Sequence, residues 1–221
     1  HIGRPEALAW AHAAEQVVRT AGPESVRPFL DRADALLRDL RVVEFAHFSD
    51  LLPRGLDQRM HDFARVLSAH VADPTEAHLA QVELHADRVL RHVLMSAQPP
   101  RAERVVMARR LARWLTSTAP FPQSLTNAVT WQSDTGAFID WARFRLLGGD
   151  ELQEVSQAYA ATREALIARR NAFAKLFAQS VVEWNANRPS VDGRVVPVES
   201  ALEHVVAPIA PVVVVVVVVV V

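Results

Sequence analysis

The chain has 221 residues, a formal net charge of -1 and no cysteine. The lack of cysteine excludes disulfides, thiolate metal sites and a cysteine nucleophile. The near-neutral charge argues against a dedicated nucleic-acid-binding domain, which is expected to be strongly basic. Glycine is scarce, and apolar residues recur at three- and four-residue spacing along most of the chain, which predicts an α-helical body.

The first half of the chain predicts five helices separated by breaks that contain proline or glycine. Pro5 favours the first turn of a helix, and Gly22 followed by Pro23 favours its end. Asp73 is the predicted N-cap of the fourth helix, with Pro74 in the first turn and Glu76 as the acid of a capping box. The five predicted helices cover about residues 5–20, 24–40, 56–71, 74–94 and 102–116, with a turn over 50–55.

The second half predicts two shorter helices and one long helix. The shorter ones cover about 123–131 and 136–147, and Gly148-Gly149-Asp150 ends one helix and caps the next. The long helix covers about 151–185 and measures about 50 Å, since each residue adds about 1.5 Å. Arg169-Arg170-Asn171 interrupts its apolar stripe, so we expect these residues to meet solvent, an acid or a partner.

The chain ends in ten valines, Val212 to Val221, which have high β-propensity and no charge. They predict a buried strand, and we interpret them as a placeholder for side chains that were not assigned. The predicted organisation is a helical domain over 1–187, a linker with a short helix over 188–211, and a strand over 212–221. The fold class is therefore all-α, an irregular bundle of about seven or eight helices leading into the first strand of a truncated α/β domain.

Three histidines of the fourth predicted helix, His78, His85 and His92, are spaced by sevens and share one stripe. Their Cα atoms step by about 10.5 Å, which is too far for one metal ion to bind two of them. They are interpreted as partly buried or interfacial side chains. No His-Glu-x-x-His pair, phosphate-binding glycine loop or Gly-x-Ser-x-Gly elbow occurs in the chain, which lowers the expectation of an autonomous enzyme.

The fifth predicted helix is the most basic segment of the chain. Its arginines spread around the helix, so pairing with acids such as Asp31, Asp34 or Asp39 is favoured over a phosphate-contacting surface. The tryptophans lie among apolar residues at helical spacing, which favours core packing over base stacking. These are Trp10, Trp114, Trp131, Trp141 and Trp184. The candidate residues for a partner or phosphate contact are Arg104, Arg109, Arg110, Arg113, Arg169 and Arg170.

Six segments together resemble the helical region of the PglZ family, in particular the version found in type 2 BREX (phage growth limitation) systems of high-GC bacteria. They are DRADALL at 31–37, FAHFSDLLP at 45–53, MARRLARWL at 107–115, GAFIDWAR at 136–143, ARRNAFA at 168–174, and VVPVE through VVAPIA at 195–210. Each segment is weakly specific by itself, and their order carries the resemblance.

The resemblance implies a bacterial antiphage protein with an alkaline-phosphatase-like core that uses a divalent metal, expected to be zinc. Its metal-binding aspartate would follow the strand at 212–221 and lies outside this chain, so no catalytic, cofactor-binding or metal-binding residue is carried over. The expected partners are other proteins of the same defence system in the cytoplasm, without a membrane, and DNA contact is the less favoured alternative. A free-standing helical scaffold for protein–protein interaction is the other interpretation.

Overall fold

The computed structural model describes residues 3–21, 23–118, 121–187 and 195–209. These residues are mostly helical and include no strand, which confirms the predicted all-α multi-helix bundle. The strand predicted at 212–221 lies outside the described residues. The α-helices are α1 (Arg4–Thr20), α2 (Pro23–Asp39), α3 (Pro53–Ala72), α4 (Glu76–Leu90), α5 (Pro99–Thr116), α6 (Leu125–Trp131), α7 (Ala137–Arg145), α8 (Gln153–Asn187) and α9 (Ala207–Ile209).

Helix α3 begins earlier than predicted, because Pro53 takes its first position and Gly55 is helical. The turn predicted over 50–55 is therefore wrong in its second half. A Cβ atom on Gly55 would lie 2.6 Å from the carbonyl oxygen of Ala46 and 2.8 Å from that of Ser49. Glycine is required here because the short 3₁₀ helix Val43–Phe48 and the residue after it approach the backbone of α3 too closely for a side chain.

Helix α4 begins later than predicted, and its N-cap is Thr75. The Thr75 Oγ1 accepts a hydrogen bond from the backbone N–H of His78 at 3.3 Å. The assignment of Asp73 as the N-cap was wrong because Asp73 ends α3, with its N–H donating to the carbonyl of Ala69 at 3.1 Å. Helix α4 also ends at Leu90, and a short 3₁₀ helix occupies Val93–Met95.

The two shorter helices of the second half form one continuous helical run. A π-turn over Gln132–Gly136 joins α6 to α7, so the break predicted between them was wrong. No proline interrupts this stretch, and the wider turn lets the backbone continue. Gly149, with φ 59°, ends the run in the left-handed region that favours glycine, and α8 begins four residues later.

The chain divides into two compact units, residues 1–118 with 139–169 and residues 119–138 with 170–221. In the first unit, buried side chains of α3, α4, α5 and the first half of α8 form the core, among them Phe63, Val66 and Leu67 of α3. In the second unit, the rings of Phe121 and Trp131 contact Phe173 with centroids 5.4 and 4.2 Å apart. Each unit thus has an apolar cluster of its own.

Candidate functional site

Two of the candidate arginines on α5 form ion pairs with acids of α4. Arg109 Nη1 lies 2.7 Å from Asp87 Oδ1, and Arg113 Nη2 lies 2.8 Å from Glu83 Oε2. The hydrogen bonds to Glu83 raise the pKa of Arg113. Arg109 and Arg113 are each neutralised by an acid of α4, and their ion pairs join α4 to α5.

The predicted pairing of these arginines inside the chain is confirmed, but with other acids than those suggested. Asp34 instead accepts hydrogen bonds from Arg54 at 2.7 and 3.1 Å, and these bonds lower the pKa of Asp34. Residues Glu83 and Asp87 were missed because pairing between neighbouring helices depends on their packing, which spacing along one helix does not reveal.

Arg169 lies at the C-terminal end of α5, where its hydrogen bonds to described residues go to backbone carbonyls. Its Nη1 donates to the carbonyls of Trp114 at 2.7 Å and Leu115 at 2.9 Å, and its Nη2 donates to that of Ser117 at 2.5 Å. The guanidinium also lies 4.3 Å from the centre of the Trp114 ring. A cation is favourable at this end of a helix because the last carbonyls are unpaired and carry partial negative charge.

The remaining candidates on α8 and α5 have different surroundings. Arg170 belongs to the second unit, where its Nη2 donates to Gln132 Oε1 at 3.0 Å and its guanidinium lies 5.6 Å from the Trp131 ring centre. Arg110 is exposed on α5. Arg169 and Arg170 are adjacent in sequence, yet they serve two different compact units.

Arg104 lines a pocket. The pocket has a volume of about 260 Å³ and lies in the first unit, between the start of α5 and the end of α7. Within the described part of the chain, Arg104 has no hydrogen bond or ion pair, and its Nε is shielded from solvent. The lining residues, named here the Arg104 pocket, are Pro100, Glu103, Arg104, Phe144, Arg145 and Gly148.

The acids near this pocket are already bound by other arginines. Arg145 donates to both carboxylate oxygens of Glu103, with Nε 3.0 Å from Oε1. Arg101 binds Asp150 through two hydrogen bonds of 2.8 Å, and the Asp150 side chain is only 1% exposed. The sequence predicted that Asp150 caps the following helix, but the Asp150 Oδ1 accepts from the N–H of Leu152 at 3.1 Å, one residue before α8 begins.

Two buried histidines of the first unit, His70 and His92, bind backbone carbonyls. His92 Nε2 lies 3.0 Å from the carbonyl oxygen of Leu52, and burial lowers the pKa of His92 to about 4. Burial also lowers the pKa of His70 and of His85, while His78 remains partly exposed. Among the described residues, no group of three or more His, Asp or Glu side chains is placed to hold a metal ion.

Two of the five tryptophans contradict the prediction of core packing. Trp10 is 69% exposed and Trp141 is 47% exposed, whereas Trp114, Trp131 and Trp184 are half-buried. Trp10 is one of several large apolar side chains that are exposed to solvent on α1, along α2 and just after it, and on the 3₁₀ helix Val43–Phe48. This set, named here the N-terminal apolar surface, comprises Leu8, Trp10, Val17, Phe29, Leu36, Leu40, Phe45 and Phe48.

A second cavity lies beside α1 and α2, with a volume of about 700 Å³. Its lining combines apolar side chains such as Val26, Leu30 and Leu94 with the charged groups of Arg27 and Asp31. The cavity therefore has an apolar wall and charged positions at which a peptide could be oriented.

None of the described helices is both long enough and apolar enough to cross a membrane. The chain matches no known protein family, no curated protein and no solved structure.

Proposed function

We propose that this chain is the non-catalytic helical domain of a PglZ-like antiphage protein, and that it docks other proteins of the same defence system in the bacterial cytoplasm. The six ordered segments that resemble the PglZ helical region support the assignment, and an all-α bundle is the fold that this region requires. The proposed whole protein is a metal-dependent hydrolase of the alkaline phosphatase superfamily. Its divalent metal, expected to be zinc, would be bound by residues beyond this chain.

The N-terminal apolar surface is the observation that carries the docking role. Single exposed apolar side chains are normal on a protein surface, whereas apolar side chains that share one stripe mark a site where another protein binds. Tryptophan and phenylalanine are enriched at protein interfaces because they bury a large area on few rotatable bonds. Four of the eight side chains in this surface are Trp or Phe.

Several of these exposed side chains lie on one face of their helix, as expected for a helix that binds a partner through one face. Trp10 and Val17 are exposed seven residues apart on α1, and Phe29 and Leu36 are exposed seven apart on α2. Residues at this spacing share one stripe of a helix. Phe45 and Phe48 add a stacked pair with ring centroids 6.3 Å apart in the short helix that follows.

Co-expression with the proteins encoded beside the gene would test this role. We expect a stable complex, and we expect Trp10→Ser combined with Phe29→Ser to weaken it at least about tenfold, because interface aromatics carry much of the binding energy. Val182→Ser is the matched control, since Val182 is equally exposed but lies on α8. Equal binding by the double variant and the wild type would contradict the proposal.

The alternative is a free-standing helical scaffold without an enzyme, which the same apolar surface would also serve. Intact and peptide mass spectrometry of the protein from its natural source would separate the two functions. A continuation beyond Val221 with an aspartate directly after an apolar strand supports the hydrolase assignment. A true end near Val221 supports the scaffold.

A further inference from the structure

We propose that the Arg104 pocket binds a small oxyanion, a phosphate or a carboxylate group. The guanidinium of Arg104 is half-buried, and within the described residues no acceptor compensates its charge. A partly desolvated arginine gains most from a ligand that accepts two parallel hydrogen bonds, as phosphate and carboxylate oxygens do. The pocket lies where such a ligand would meet this guanidinium.

The charge balance of the pocket is positive. Arg104 and Arg145 each contribute a positive charge, and Glu103 contributes the single negative charge among the lining residues. Both carboxylate oxygens of Glu103 are bound by Arg145, so Glu103 and Arg145 neutralise each other. The charge of Arg104 is left to attract an anion.

The neighbouring buried acid is also committed to another arginine. Arg101, one helical turn before Arg104, engages both oxygens of Asp150. Asp150 further accepts from the N–H of Leu152, so three donors other than Arg104 bind its carboxylate. Arg104 therefore forms no ion pair with a described acid of its own compact unit.

The size and rim of the pocket indicate a group rather than a whole drug-sized molecule. Its volume of about 260 Å³ lies below the roughly 300–1,000 Å³ of pockets that enclose such ligands. Phe144 lines the pocket and is 68% exposed, so the rim is open and apolar. An oxyanion could enter while the rest of its molecule remains outside.

Nuclear magnetic resonance of the arginine Nε–H groups in the whole chain would test the proposal directly. The chain is titrated with inorganic phosphate, and separately with acetate, at an ionic strength held constant with chloride. We expect the Arg104 Nε–H resonance to shift with saturation at millimolar ligand. Phosphate binding tighter than acetate binding identifies a phosphate site, and the reverse order identifies a carboxylate site.

Three variants give the expected directions. Arg104→Gln should weaken binding at least about tenfold, because it removes a charge-assisted pair of hydrogen bonds, and Arg104→Lys should retain part of the affinity. Glu103→Gln should tighten binding, because it leaves the charge of Arg145 unneutralised. Arg65→Gln is the control, since the Arg65 side chain is 71% exposed and lies on α3.

A wild-type chain whose Arg104 resonance does not respond to either ion would overturn the proposal. Unchanged affinity in a folded Arg104→Gln variant would do the same. If that variant fails to fold, the wild-type titration and the expected gain in Glu103→Gln still decide the outcome.

Discussion

At the scale of single residues, two arginines with little exposure, Arg59 and Arg169, bind backbone carbonyls at helix ends. Arg59 donates to the carbonyls of His47 at 2.8 Å and Arg88 at 2.9 Å, and Arg169 donates to three carbonyls at the end of α5. Arg88 lies in the last turn of α4. The high arginine content therefore serves helix termini as well as ion pairs, and the sequence alone did not distinguish these uses.

We expect Arg169→Leu to lower the free energy of unfolding by about 2 kcal/mol. The substitution removes the donor for three carbonyls that then depend on water, and an unpaired buried polar group is costly. Burial lowers the pKa of Arg169, and its guanidinium donates to the three carbonyls. Urea denaturation measures the change. Arg65→Leu, at an exposed position, should change stability by less than about 0.5 kcal/mol, and an equal loss in both variants would disprove the role of Arg169.

We expect the stability to fall as the pH decreases from 6.5 to about 4, partly through His92. The unfolded chain takes up a proton on this imidazole below pH 6.5, whereas in the fold its pKa is lowered to about 4. The contribution of His92 to the free energy of unfolding is therefore fully present above pH 6.5. It falls by about 3 kcal/mol as the pH approaches 4. Both ring nitrogens of neutral His92 are hydrogen-bonded. Nε2 donates to the carbonyl oxygen of Leu52, and Nδ1 accepts from the N–H of Leu94 at 3.3 Å.

Urea denaturation across this pH range tests the contribution of His92. His92→Gln removes the titrating group and should flatten the pH dependence, while His70 and His85, whose pKa values are also lowered, retain a smaller slope. His12→Gln, at an exposed position on α1, is the control. A His92→Gln variant with the full wild-type slope would show that His92 does not contribute.

At the scale of elements, apolar periodicity identified helices correctly, and errors concentrated at their ends. Periodicity reports which face of a helix is buried, so it extends over many residues and tolerates a local mistake. A helix end depends on a few hydrogen bonds, and two neighbouring polar residues can both look like caps. The turn predicted at Gly55, the N-cap predicted at Asp73 and the break predicted between α6 and α7 were all errors in where a helix begins or ends.

The start of α4 gives a matched pair of substitutions. Thr75→Ala should lower the free energy of unfolding by about 1 kcal/mol, because it removes the side-chain oxygen that accepts the N–H of His78. Asp73→Ala should have a smaller effect, since Asp73 is not the N-cap and its side chain is 65% exposed. Thermal or urea denaturation of the two variants measures the difference. A larger loss for Asp73→Ala would restore the cap expected from the sequence.

At the scale of the whole molecule, the helices of the first unit contribute unequally to the core. Helix α3 buries nine residues, whereas no residue of α1 is buried. Local stability follows the apolar area that an element buries, so elements without buried side chains open at low free energy. The same exposure leaves Trp10 and Val17 of α1 available for the proposed partner.

Hydrogen–deuterium exchange read by mass spectrometry tests this uneven distribution. We expect the amides of α1 to exchange at least about a hundredfold faster than those of α3 and α4, because opening α1 exposes little apolar area. Binding of a docking partner should slow exchange in α1 and α2 and leave α4 unchanged. Protection of α1 equal to that of α4 in the free chain would contradict the expectation.

The sequence by itself determined the all-α class and the approximate extent of most helices, because helical periodicity and proline breaks act over short distances along the chain. It also indicated that the arginines of α5 would pair with acids inside the protein. Only the tertiary structure decided which acids they bind, as in the pair of Arg101 with Asp150, which lie 49 residues apart. The tertiary structure also distinguished Arg169, which binds backbone carbonyls, from Arg104, which lines a pocket. Burial and hydrogen-bond partners depend on how distant helices pack.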